Sequence, residues 1–312
     1  MKTKAPIIIA GILPWTEKWS AQATYLCPVS LSDLQILGQT TIHSRLSLEP
    51  GAELYIINAP FCISSLAKSD AGIVFHKESQ LSILGNQISH LCLHLGGKGL
   101  SYIQLNGGKL IMPKGNILGG PNATIHIHVN SGFLSARSIH LPGNESEIHL
   151  NGGTLRSNRI TGNVSIKING GLLHVREQCQ TRRLQLMDKG VLLINGNLSR
   201  HPAEIIGHGG INFYKEGGTL LIRLHYHKMT NSHKFSAKDC LSRLIEENKL
   251  YHNGIALGGL NNFHFYEFVG KDGFHYAMIQ PQTHDTSSRI NKFLDTLING
   301  QKSEVNLHKL TF

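Results

Sequence analysis

Carboxylates are scarce where this chain is most regular. Between residues 90 and 227 the only ones are Glu145, Glu147, Glu177, Asp188, Glu204 and Glu216, with no Asp-Asp or Asp-X-Asp phrase. Glycoside hydrolysis needs two carboxylates about 5 to 10 Å apart, and calcium-dependent cleavage needs an acidic cluster. The sequence therefore argues against a carbohydrate-cleaving enzyme. Charge of either sign is low, at 16% of residues, which disfavours helices covered in ion pairs. The five cysteines, Cys27, Cys62, Cys92, Cys179 and Cys240, are odd in number, widely spaced and without a Cys-X-X-Cys pair. That argues against a disulfide framework or a structural zinc site, and for folding in reducing conditions. No apolar stretch is long enough to span a membrane as a helix. An apolar run from Ala5 to Trp15 follows Lys2 and Lys4 and precedes Ala21-Gln22-Ala23, the outline of a cleaved signal. Pro6 and Pro14 interrupt that run, and Glu17 and Lys18 charge the region where cleavage would fall. A retained first strand is expected instead, with a cytoplasmic location or export by a non-classical route.

What is present is glycine, 33 residues of it, and a recurring phrase. It reads Ile103-Gln104-Leu105-Asn106-Gly107-Gly108-Lys109-Leu110, returns from Ile127 to Leu134 and from Ile148 to Leu155, and again from Ile166 to Leu173. Its asparagines are separated by 24, 21 and 18 residues, and a degenerate copy at Asp188, Lys189 and Gly190 follows 19 later. Repetition at that period marks a solenoid. Within one copy Ile148 and Leu150 point one way and His149 the other. Asn151-Gly152-Gly153 is read as a corner of positive-φ residues, after which Leu155 re-enters the core. Stacked copies would pair in parallel and set equivalent leucines above one another.

The expected fold is mainly β: a parallel β-helix over residues 36–230, an N-terminal capping segment over 1–35, and a small α+β unit over 231–312. That last unit begins with a capping box at Ser236 and Asp239, with Ala237, Cys240, Leu241, Leu244 and Ile245 on one helical face. An aromatic hairpin follows, Asn262 to Val269 and Phe274 to Gln280, turning at residues 270–273. A second helix is expected from about Ser288 to Ile298, and an edge strand from Val305 to Phe312.

The phrases Asn-Gly-Gly-Thr-Leu (151–155) and Asn-Gly-Gly-Leu-Leu (169–173) resemble those of autotransporter passenger domains and related bacterial adhesins, over about residues 90 to 227. The resemblance implies a β-helix that binds rather than cleaves. The chain departs from that family in lacking a convincing secretion signal and a C-terminal membrane barrel.

Gln104, His128, His149 and Lys167 fill one polar slot in four copies and should form an outward ladder. Arg156, Arg159, Arg176, Arg182 and Arg183 lie in nearby turns. With a net charge of +10 and nineteen histidines, such a strip suits an acidic glycan or another polyanion. His126 with His128, and His225 with His227, lie two apart on strands but lack a third ligand in frame. No metal or cofactor is expected. Cys240 at a helix start, His275 on a strand and Asp285 after it follow the chain order of papain-like and NlpC/P60-like hydrolases. In that reading Cys240 is the nucleophile, His275 the base and Asp285 the group that orients the imidazole. Three readings stay open. The first is a non-enzymatic binding or adhesion scaffold, of the kind secreted as a virulence effector, that presents its polar face to an acidic glycan, a surface or a host protein. The others are a thiol hydrolase or acyltransferase in the C-terminal unit and a self-assembling structural solenoid.

Overall fold

The computed structural model describes residues 91–195 without interruption, most of 45–84 and of 201–281, and short strands before residue 45. The described chain is mainly β. Nearly all strand pairs are parallel, each strand bonding to one about a repeat further along the sequence, and the pairings fall into three stacks.

In the first stack one inward position reads Leu46, Ile73, Ile103 and Ile127 in successive partners. It resumes as Ile148, Ile166, Leu184, Ile211 and Leu250. The N–H of Asn151 donates to the carbonyl of Val129 across the join (3.0 Å). In the second stack the partners are Leu54, Leu81, Leu110, Leu134, Leu155, Leu173, Leu192 and Leu220, a leucine at each of these eight levels. The third stack carries Leu93, Ile117, Ile139, Ile160 and Cys179, and ends on a bridge to Ile206.

The side chains that point inward from all three stacks form one core. The stacked leucines from Leu81 to Leu220 are fully buried. Burial of each stabilises by about 1.5–3 kcal/mol, an upper bound because unfolded chains already hide some apolar area. A backbone or amide hydrogen bond adds about 1 kcal/mol net, so the apolar columns dominate the stability. They require an inward residue at alternate positions, the period visible in the phrase.

The corners differ from the expected pattern. In the copy at 151–153 only Gly153 holds a positive φ (+68°), and Gly132 (+92°) and Gly171 (+74°) do so at the equivalent positions. Asn151 keeps ordinary backbone angles and uses its side chain instead. Asn130 Nδ2 donates to Asn106 Oδ1, Asn151 Nδ2 to Asn130 Oδ1, and Asn169 Nδ2 to Asn151 Oδ1, each at 2.8 Å. The repeated asparagine is therefore a ladder of amides up the outside of one corner.

The last two repeats of the first stack each hold a helix. Pro202–Ile205 lies between Val191–Asn195 and Ile211–Tyr214, and Ala237–Glu246 lies before Leu250–His252. Ser236 and Asp239 form the expected capping box. Arg243 joins the two helices through Glu204 (3.1 Å). The hairpin is also present, as Phe263–Val269 paired with His275–Pro281. It is not set apart, since His275–Pro281 bonds antiparallel to Thr219–Arg223 at the end of the second stack. Cys240, Leu241, Leu244, Phe263 and Ile279 belong to the same core as the stacks. The described part of 231–312 thus shares the core of the stacks rather than building its own. The helix expected at 288–298 and the strand at 305–312 lie outside the described residues. At the other end, Ile8–Ala10 and Tyr25–Cys27 already pair in parallel with Gln35–Leu37 and Arg45–Leu48, so parallel pairing reaches into the segment expected to cap it. Among the described residues no helix is long and apolar enough to cross a membrane.

Candidate functional site

Strand alternation turns every second residue of the first stack outward. Gln104 pairs with His128 in register, and His149 with Lys167, then Gln185 and Asn212. The His128 and His149 rings stack at 4.9 Å with 9° between their planes, which joins the two halves into one column. The four slot residues do form a continuous ladder. A second column runs beside it: Tyr102 pairs with His126, and Glu147 with Ser165 and then Arg183. His126 faces His128 at 5.8 Å. Together the two columns make a lattice two side chains wide.

This lattice is not simply cationic. Glu147 Oε2 lies 2.5 Å from His149 Nε2, and its Oε1 lies 3.5 Å from Lys167 Nζ. Partial burial works to raise the Glu147 carboxyl, but the His149 hydrogen bond and the Lys167 charge overcome it and hold the group below the usual carboxylate range. His126 is pushed below the ordinary histidine range by desolvation, with Glu147 opposing. His128 is lowered by desolvation and then by the charges of His149 and His126. At neutral pH both rings are uncharged. Glu147 thus sets a negative charge among the lattice cations Lys167 and Arg183.

The arginines divide among the stacks. Arg183 opens a first-stack strand beside Ser165 and is exposed. Arg182 adjoins it, donating through Nη2 to Ser165 Oγ (3.0 Å) and through Nη1 to the Asn144 carbonyl (3.2 Å). Arg156 is a second-stack residue between Ser135 and His174. Arg159 is in the third stack, where Nε pairs with Glu177 (2.7 Å). Arg156 and Arg159 therefore do not belong to the ladder: the corners that separate the stacks turn them to other sides.

The thiol centre fails on chemistry. Cys240 is fully buried, and burial, followed by the charge of Asp239, pushes its thiol up to about 12. A helix N-terminus lowers a thiol's pKa, but here desolvation outweighs that dipole. A thiol held protonated is no nucleophile at neutral pH. His275 starts the last described strand opposite Val269, its carbonyl accepting from the Leu224 N–H (2.8 Å). Asp285 lies outside the described residues, as does His225. Among the described residues no group of three or more His, Cys, Asp or Glu side chains is placed to hold a metal ion.

Two features of the site went unread in the sequence. Glu147 lies two residues before His149 on the same strand, so alternation alone puts it on the lattice. The amide ladder had its signal too: an asparagine at one position in each of the four full copies, where glycine or aspartate would serve a turn equally well. No family model matches the chain, and no curated protein or solved structure matches it either.

Proposed function

We propose that this chain is a three-faced parallel β-helix that acts as a binding scaffold, and that the outward lattice of its first stack holds an anionic polysaccharide. The observation that carries the reading is the unbroken column Gln104, His128, His149 and Lys167, with Arg182 and Arg183 at its basic end. Successive strands of such a stack lie about 4.8 Å apart. A rigid lattice of donors at that spacing suits a linear, repeating polymer, and its rigidity lowers the ordering cost of binding. Two features speak against the other readings. The buried, protonated Cys240 weighs against a thiol enzyme. The antiparallel partners Ile255–Ala256 and His275–Pro281, which follow the last parallel strands of two stacks, weigh against endless end-to-end growth, because they occupy the edges on which another copy would add.

Heparin serves as the polyanion probe and uncharged dextran as the control, in low and moderate salt. The chain should bind heparin and not dextran, less well as salt rises. The double variant Lys167→Gln with Arg183→Gln should lose about five- to tenfold in affinity, as expected for two partly screened charges. Equal binding to dextran, or an unchanged double variant, would refute the proposal.

A further inference from the structure

We propose that the lattice is an acid-gated anion site: His126 and His128 take up protons in mildly acidic solution as a sulfated or carboxylated polysaccharide binds, and turn a nearly neutral surface into a cationic one. This rests on the binding reading above and adds the condition under which binding becomes strong.

Geometry supplies the gate. Three imidazoles occupy adjoining lattice positions on one rigid sheet surface, two of them stacked at 4.9 Å and the third 5.8 Å from the nearer of these. Two charged rings at that separation repel by about 1 kcal/mol in a fully aqueous setting and about 3 kcal/mol at an effective dielectric constant near 20. A second proton is therefore resisted until a counter-charge arrives, and an anionic chain laid along the column supplies it.

The charged groups around the three rings favour the same outcome. Glu147 bonds His149 at 2.5 Å and also acts on His126 and His128. Glu145 and Asp70 act on His126 at longer range. Lys167 lies beyond Glu147 at 3.5 Å. Register places Tyr102 beside His126 and Gln104 beside His128, neither of them charged at neutral pH. Glu147 is held below the usual carboxylate range, so it stays ionised while His126 and His128 titrate. The lattice moves from two fixed cations, Lys167 and Arg183, against one anion to a clear cationic excess. Because His126 and His128 start below the ordinary histidine range, the gain falls on the acid side of neutrality. An anion that prefers the charged rings must raise their pKa values as it binds and take up protons from solution.

The test measures heparin affinity of the full chain at pH 7.5 and pH 5.0 in the same salt, with circular dichroism at each pH to confirm the fold. Wild type should bind at least about tenfold more tightly at pH 5.0. The double variant His126→Gln with His128→Gln should lose most of that gain, and His208→Gln, an exposed ring elsewhere, should keep it. A second measurement on unaltered protein follows the imidazole resonances by NMR with and without heparin, where His126 and His128 should titrate below the ordinary range and move upward when heparin is added. A full gain retained by the double variant, or no upward movement, overturns the gate. Equal heparin affinity at both pH values ends the gate and leaves the binding reading standing, whereas no heparin binding at either pH removes both.

Discussion

A methyl group added at Gly153 would lie 2.5 Å from the carbonyl oxygen of Gly132, and the residue holds φ at +68°. One level up, a methyl at Gly171 would meet the carbonyl oxygen of Gly153 at 2.3 Å. Each glycine in this column leaves room for the backbone of its neighbour, so the residue answers to two demands: a left-handed conformation and a close approach of chain to chain. Gly96 offers the contrast, with no positive φ and nothing within 4 Å of an added methyl. Gly153→Ala should destabilise the fold by at least about 2 kcal/mol, the left-handed penalty of about 1–2 kcal/mol plus displacement of backbone that cannot rotate away. Gly96→Ala should change stability by less than about 0.5 kcal/mol. Urea unfolding midpoints compare them, and similar midpoints for the two variants would contradict this account of the corner.

At the scale of the strand and corner, the amide ladder makes unequal demands on its members. Asn151 donates to Asn130 and accepts from Asn169, whereas Asn169 makes a ladder bond on one side only, its buried Oδ1 having no hydrogen-bond partner. Asn151→Ala removes two bonds and strands the amide of Asn169, while Asn169→Ala removes one bond and also the unsatisfied oxygen. The first should cost about 2–3 kcal/mol and the second about 1 kcal/mol or less, again read from unfolding midpoints. An equal cost would show that the amides bond to water as well as to each other. Much of this level was legible in the sequence. Alternation about Ile148, His149 and Leu150 gave the inward and outward columns, and the leucine that closes each phrase is the leucine of the second stack. Ser236 with Asp239 marked the helix start, and the residues around 270–273 marked the hairpin. What stayed illegible depends on neighbours from other levels. The charge of the ladder could not be read without knowing that Glu147 reaches both His149 and Lys167. The sides taken by Arg156 and Arg159 depend on how many residues each corner absorbs. The state of Cys240 depends on core residues far away in the chain, and a helical position alone favours the opposite shift.

Over the whole molecule, acid strengthens the proposed site and weakens the fold that carries it, and His174 is where the two effects separate. Its ring lies in the second stack away from the lattice, bonded through Nε2 to Asn195 Oδ1 at 3.0 Å. Burial, opposed by the Asn195 bond and reinforced by Arg156, Arg176 and Arg223, lowers its pKa to about 4. The folded state therefore keeps His174 neutral where the unfolded chain, with an ordinary value near 6.5, takes up a proton. Above that ordinary value both states are neutral and the group contributes nothing. As pH falls from there toward the folded value, the unfolded chain binds more protons and stability declines. A shift of this size corresponds to about 3 kcal/mol at most, and the partial exposure of the ring reduces it to about 1–2 kcal/mol through solvent screening. His126 and His128, lowered in the same direction, add to the decline. His174→Gln keeps an amide hydrogen for Asn195 and removes the titration. Between pH 7 and pH 4.5 its unfolding free energy should fall by about 1–2 kcal/mol less than that of wild type, measured in urea at each pH. Heparin should restore part of the stability lost at pH 5 in both proteins, because it binds the folded lattice and favours its charged rings. Identical pH slopes for His174→Gln and wild type would remove His174 as a source of acid lability, and restoration by heparin in wild type alone would place the polyanion on the second stack instead of the first.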